Sequence, residues 1–166
     1  MTTRSHIGKS FYYAVAAPAT NDAAGFQALT WVKVPGYSGG FQFGGTHADI
    51  DNPDMEQGKA PTLRGMASFN ESTGSFRRRD GAEGTAQDTF IGLIRAGLVH
   101  SIKIARGSGS AMPDGGKAVV TGDQVEYAQG YFKADMDEPQ TDNTREGFTV
   151  PFKQNDYSVK STEPAE

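Results

Sequence analysis

A single stretch of this chain carries a helical apolar stripe, and its other apolar runs are short and alternating. The helix is read over Ala86 to Gly97, with Thr85 as N-cap. Ala86, Phe90, Leu93, Ile94 and Gly97 fall at i, i+4, i+7, i+8 and i+11, which places them on one face. Gly97 suits the left-handed residue after the last turn, and Leu98 the hydrophobic contact beyond it. One amphipathic helix cannot bury its stripe unaided, so it must lie on a sheet. The expected class is mainly β with one flanking α-helix.

The strands are read from period-two alternation. Phe11 to Ala17 follows Arg4 and Lys9 and superficially resembles a signal peptide, but the run is short and aromatic, as a strand would be. A turn-rich break covers Pro18 to Gly25. Ala28 to Val34 then alternates, with Ala28, Thr30, Val32 and Val34 against Leu29, Trp31 and Lys33, until Pro35 and Gly36 end it. Gly36 to Pro61 reads as a long polar loop, within which Gly40 to Phe43 can pair as a short strand. Connections of that length are usually functional or disordered. Thr62 to Glu71 is a strand with Leu63, Ala67 and Phe69 on one face, and Ser72 to Gly84 a loop. Leu98 to Ala105 alternates, placing His100 with Ile102 and Ile104. Lys117 to Thr121 and Val125 to Met136 read as a hairpin around Gly122-Asp123. After the acidic turn Asp137 to Asn143 comes a last strand with Phe148, Val150 and Phe152 inward. Pro151 lacks an amide donor, which puts that strand at an edge or a bulge. One domain is expected over 1–154, with its long loop at 36–61 and a polar, flexible tail over 155–166.

Composition removes several functions. With no cysteine among 166 residues, disulfide scaffolds, zinc ribbons and thiol catalysis are excluded. A net charge of −4 argues against nucleic-acid binding, which needs clustered cations. The 21 glycines and 36% hydrophobic content suit short strands joined by long loops. No apolar run approaches a membrane span. The segment Gly107 to Lys117 imitates a phosphate loop but has Ala111 where the first glycine should be and Ala118 where Ser or Thr should be. Asp49, Asp51 and Asp54 imitate a calcium loop, yet Pro53 occupies a ligand position and Asp54 the glycine position. His6, His47 and His100 are scattered, and His100 is expected on the apolar face of its strand. No catalytic, metal or cofactor constellation emerges. Arg77, Arg78 and Arg79 form a basic run that reads as solvated or ion-paired, and Asp49 to Glu56 would suit it across an interface.

The order of elements resembles the major tail tube proteins of long-tailed bacteriophages, whose fold is shared with contractile-tail and type VI secretion tubes. The resemblance lies in TWVKVPG (Thr30 to Gly36), a long polar loop, LRGMASF (Leu63 to Phe69), the helix AQDTFIGLIRAG (Ala86 to Gly97), a hairpin and GFTVPFK (Gly147 to Lys153). It implies a β-sandwich or barrel protomer, six of which close into a ring whose strands join one intersubunit β-barrel. Stacked rings would then form a conduit for DNA ejection, without catalysis or cofactor. The resemblance also implies an inter-ring stacking loop, here Phe41, Phe43, His47, Asp49, Asp51, Asp54, Glu56 and Lys59, with Arg77, Arg78 and Arg79 at an interface. Asp135, Asp137 and Glu138 are candidates for the lumen, where about −24 of charge per sixfold ring would keep DNA from sticking.

The implied partners are other copies of the chain and the tape-measure, tail-tip and tail terminator proteins. Double-stranded DNA would pass through without specific binding, and no membrane is involved. The implied place is the virion tail, made and assembled in the host cytoplasm. A type VI or contractile-tail inner tube protein and a tail terminator are the nearest alternatives. A monomeric β-sandwich binding module and a carboxylate hydrolase stay open beside them.

Overall fold

The computed structural model describes residues 8–51, 56, 58, 61–139, 141 and 145–165. In chain order the elements are β1 (Lys9–Ala14), α1 (Ala23–Gln27), β2 (Val32–Val34), β3 (Tyr37–Gly39), β4 (Gly45–Asp51), β5 (Thr62–Phe69), β6 (Glu71–Arg77), α2 (Gly81–Arg95), β7 (Ser101–Arg106), β8 (Gln124–Phe132), β9 (Met136–Asp137), β10 (Gly147–Gln154) and β11 (Val159–Thr162).

Seven strands form one antiparallel path, β2-β1-β7-β8-β10-β6-β3. β11 adds beside β8 and β9 beside β10, while β4 and β5 form a separate two-stranded ribbon. β2 and β3 stand at opposite ends of the path, yet only Pro35 and Gly36 separate them in the chain. Three Cα steps reach at most about 11 Å. The ends must therefore meet, and the sheet curls almost into a barrel.

The barrel interior is filled by inward residues of the alternating strands. Phe11, Ile102, Phe76, Phe148, Val150 and Phe152 are all essentially inaccessible. Helix α2 plugs the remaining opening. Its Phe90 ring lies 5.1 Å from Tyr13, 5.5 Å from Phe11, 5.5 Å from Phe132 and 5.8 Å from Phe76, in the tilted and edge-on geometries aromatic pairs prefer. Beside it Gln87 is wholly buried. Its Nε2 donates to Pro35 O and Arg77 O, both at 2.8 Å, and its Oε1 accepts from Arg79 N at 3.1 Å. One side chain thus ties the β2–β3 joint to the end of β6. Gly36 holds φ +83° there, and a Cβ on it would strike Arg77 O.

A smaller core covers the outer face of β7 and β8. Phe26 of α1 stacks on Tyr127 at 5.1 Å, and Trp31 tilts onto the same ring at 5.6 Å. Trp31 Nε1 donates to Phe26 O at 3.1 Å. Lys103 is buried under this cover, pairing with Glu163 at 2.7 Å and facing the rings of Tyr12 and Trp31. A buried cation needs such partners, so the C-terminal segment is part of the fold.

Several expectations are corrected. The segment 155–166, expected to be a flexible tail, supplies β11 and Glu163. The hairpin around Gly122-Asp123 does not form: Lys117 makes only an isolated bridge to Ala111, and β8 takes β11 as neighbour instead. Ser72 to Gly84, expected as loop, holds β6, whose single large apolar residue, Phe76, gave no visible alternation. Gly74 lies on its inner face because the ring of Phe41 occupies the space a Cβ would need. Pro18 to Gly25 runs into α1, and only Val32–Val34 of the expected Ala28 to Val34 is strand. Val34 is buried there, whereas Val32 is exposed.

Helix α2 begins five residues earlier than expected, after Asp80. Thr85 does not cap it, its hydroxyl donating to Gly81 O. The buried stripe is Gly84, Gln87, Phe90, Ile91 and Ile94, since a glutamine takes a core position. The other end is as expected. Gly97 has φ +69°, its amide donates to Ile94 O, and that of Leu98 donates to Leu93 O. β10 is interior, with β6 along one side. Pro151 falls where its other neighbour changes from β9 to β8, so no ladder bond is lost.

Replacing Gln87 with Leu would strand two buried carbonyls and an amide, at an expected cost of about 2–4 kcal/mol. Urea unfolding checks this; a midpoint equal to that of the parent protein would show that Gln87 does not hold the joint.

Candidate assembly surface

The loop expected over 36–61 is built quite differently. β3 pairs with β6, the segment Gly40 to Phe43 is irregular, and β4 pairs with β5 in an arm that stands apart from the main sheet. Phe41 is no arm residue: its ring stacks on Phe11 at 5.3 Å and meets Phe152 edge-on at 6.2 Å. Phe43 packs against the same core. Asp54 and Lys59 lie outside the described residues, as does His6.

Along the arm, Gly45 faces Phe69, His47 faces Ala67 and Ile50 faces Leu63, with a bulge between His47 and Asp49. At its base, Tyr157 covers it. Phe69 meets the Tyr157 ring edge-on at 5.0 Å, and the His47 ring lies over it at 6.3 Å. His47 Nδ1 accepts from Arg64 at 2.8 Å. Further out the cover stops. Ile50 and Leu63 are 52% and 54% exposed, Met66 is 87% exposed, and Asp49 and Asp51 are also exposed. The single face expected for Leu63, Ala67 and Phe69 is split by the bulge: Ala67 and Phe69 stand opposite His47 and Gly45, whereas Leu63 stands opposite Ile50 on the other face of the ribbon. A two-stranded ribbon is marginal alone. This one leaves its distal apolar pair and both outer backbone edges open among the described residues.

Each arginine of the basic run has a carboxylate within its own chain. Arg77 bonds Glu138 at 2.5 Å, Arg78 bonds Asp88 at 2.7 Å, and Arg79 lies 3.7 Å from Glu83. Arg78 also sits over the Phe148 ring. All three line a cleft of about 220 Å³ with Lys9, Lys33 and Arg145. Lys33 is tied to Asp114 at 2.7 Å. A wider groove of about 750 Å³ adjoins this cleft, sharing Lys9, Tyr37 and Ser38 with it. Its lining combines Tyr37, Phe41, Phe43 and Ile104 with the charged side chains of Glu126 and Lys160. Burial pushes the Tyr37 phenol up to about 12, so it stays protonated. Lys9, Lys33 and Arg145 were not singled out in the sequence, because they come from β1, β2 and the segment before β10, far apart in the chain.

The expected lumen acids are partly engaged. Asp135 takes Arg95 on both oxygens, at 2.9 and 2.7 Å, and Glu138 holds Arg77. Asp137 belongs to β9, opposite Phe148. His100 is exposed, contrary to expectation. Its backbone bonds Ala14 and Gly130, but β7 begins one residue later. Trp31 offers no sugar platform, being spent on Tyr127 and Lys103. Among the described residues no three His, Asp or Glu side chains are grouped to hold a metal ion. Among them, too, no helix is long and apolar enough to cross a membrane.

No family model and no curated protein sequence matches the chain. Solved structures do. A chain in the sheath/tube terminator of an extracellular contractile injection system, in its extended state, is similar over 97% of this chain and 98% of its own, with TM-score 0.63 and 11% identity. A chain in the tube-terminating cap of the anti-feeding prophage is similar over 98% and 93%, with TM-score 0.60 and 13% identity. A chain in the sixfold-symmetric tail of an empty gene transfer agent particle is similar over 96% and 99%, with TM-score 0.55 and 9% identity. At such identities these likenesses establish the fold: a mainly β protomer with one long flanking helix, as found in tail and injection assemblies.

The Arg95 hydrogen bonds hold the Asp135 carboxyl below its ordinary value of 3.8. Because the folded-state value is depressed, the stabilisation is present above the unfolded value and lost as pH falls through the folded one. Asp135→Asn is therefore expected to unfold at lower urea than the parent at pH 7, with the gap closing below about pH 4. A gap that persists unchanged in acid would show that the carboxylate charge is irrelevant.

Proposed function

We propose that this chain is a structural protomer that polymerises, as stacked hexameric rings, into the tail tube of a long-tailed bacteriophage-like particle and forms a conduit for DNA ejection. The observation that carries the reading is the arm. Ile50 and Leu63 form a half-exposed cross-strand apolar pair on the distal part of the ribbon, beyond the cover that Tyr157 gives its base. Such a ribbon gains its stability from a neighbour, and copies of the same chain are the economical neighbour. The arm and whatever receives it are different surfaces, so the contact is heterologous and propagates without closing along the axis.

The fold's occurrence in tail and injection assemblies supports this reading, and so do the outer edges of β9 and β11, on which no further strand pairs among the described residues. Asp137 and its neighbours at β9, with a net charge of −4 per copy, suit a bore through which DNA slides without sticking. An inner tube of a contractile tail or a secretion system would use the same geometry. A terminating ring is a second reading, favoured by the likeness to chains from a tube terminator and a tube-ending cap.

Purified protein is expected to form rings with a central channel that stack into tubes under negative-stain electron microscopy. Rings that never stack would favour the terminator, and a monomer at every concentration would refute the tube. Deleting Thr46 to Ser68 and joining the paired ends Gly45 and Phe69 is expected to preserve a cooperative unfolding transition while abolishing tubes. Tubes of normal length from that variant would rule out a stacking role for the arm.

A further inference from the structure

The uncovered arm poses a question of address, and the protomer carries a surface shaped to answer it. Lys9, Lys33, Arg77, Arg78, Arg79 and Arg145 line one small cleft against a single carboxylate of that lining, Asp114. This concentration of cations is unexpected in a chain with more acids than bases. Intrachain carboxylates partly neutralise four of the six: Asp114 on Lys33, Glu138 on Arg77, Asp88 on Arg78 and Glu83 on Arg79. Lys9 and Arg145 have no ion pair among the described residues, and the arginines of the run keep a third to a half of their side chains exposed. The cleft continues through Tyr37 and Ser38 into the aromatic groove of Phe41, Phe43 and Ile104. Basic cleft and aromatic groove together form one bipartite surface.

The arm is bipartite in the complementary sense. Ile50 and Leu63 present apolar surface, and Asp49 and Asp51, flanking Ile50 on β4, present charge of the opposite sign to the cleft. A two-stranded ribbon exposes both faces at once, so a single insertion can satisfy both halves. We infer that the distal arm of one copy seats in the cleft and groove of the next, Ile50 and Leu63 against Tyr37, Phe41 and Phe43, with Asp49 and Asp51 among Lys9, Arg79 and Arg145. This rests on the reading that the chain assembles with itself and names the receiving surface for the arm. Charge complementarity selects the partner and sets the register, while apolar burial supplies the affinity. The contact weakens as salt is raised, because the ionic half is solvent-accessible.

The absence of native cysteine makes the test direct. An Ile50→Cys protein and a size-tagged Ser38→Cys protein are mixed under assembling conditions and oxidised. The expected product is the mixed disulfide, in clear excess over either homodimer. A Lys9→Glu change in the Ser38→Cys partner should lower its yield roughly fivefold, and Asp51→Lys in the Ile50→Cys partner should restore it. Predominant Ile50→Cys homodimers would mean that arms pair with arms, overturning the assignment. Tubes that form without the mixed disulfide would overturn it too while leaving the tube reading intact. A chain that stays monomeric and uncrosslinked would sink both.

Discussion

Everything in this protomer depends on the sheet curling far enough for its first and last strands to meet. The meeting point is two residues long, Pro35 and Gly36, and backbone groups on either side of it face inward where water cannot reach. Gln87 satisfies three of them at once, two carbonyls and one amide, from a helix that the sequence places far from the joint. A hydrophobic residue at that position would pack as well and leave the joint unbonded. Here a buried polar side chain specifies the closure, and Phe90 beside it fills the space that closure creates.

Closure has a consequence on the outside. A curled sheet turns its other face to solvent, and β7 is apolar or uncharged on both faces except for Lys103 and the exposed Arg106 at its end. The chain covers that face with α1, Trp31 and the C-terminal strand, and it neutralises Lys103 with Glu163. The last residues of the described chain therefore belong to the packed structure. Their strand also occupies one edge of β8, leaving its own outer edge for whatever lies beyond the protomer.

The arm is the exception to this self-sufficiency. Core and cover are satisfied within one chain, while the ribbon of β4 and β5 is tied down, among the described residues, at its base, through Phe69, His47 and Tyr157. The division suits an assembling subunit. Under the proposed assembly, the body is satisfied within one chain and the peripheral ribbon is left for a neighbour to cover. Intrachain ion pairs on the basic run moderate the cleft's charge, and in the proposed contact the acidic arm of another copy would join them.

The sequence by itself determined the inward residues of the strongly alternating strands, among them Ile102, Ile104, Phe148, Val150 and Phe152, and the end of α2 at Gly97 and Leu98. These follow from local stereochemistry: a two-residue period and a left-handed glycine act over a few neighbours. Only the tertiary structure decided what depends on distant partners. β6 and β11 are too polar to announce themselves and exist because β10 and β8 offer them edges. Gln87 entered the helix stripe because carbonyls at positions 35 and 77 needed a donor, and His100 left the core because β7 began one residue late. Lys103 became buried because Glu163, sixty residues away, arrives to pair with it. The long loop likewise read as polar, with at most a short strand at Gly40 to Phe43, until β5 paired with Gly45–Asp51, since a strand's partner is a property of the fold and not of its own residues.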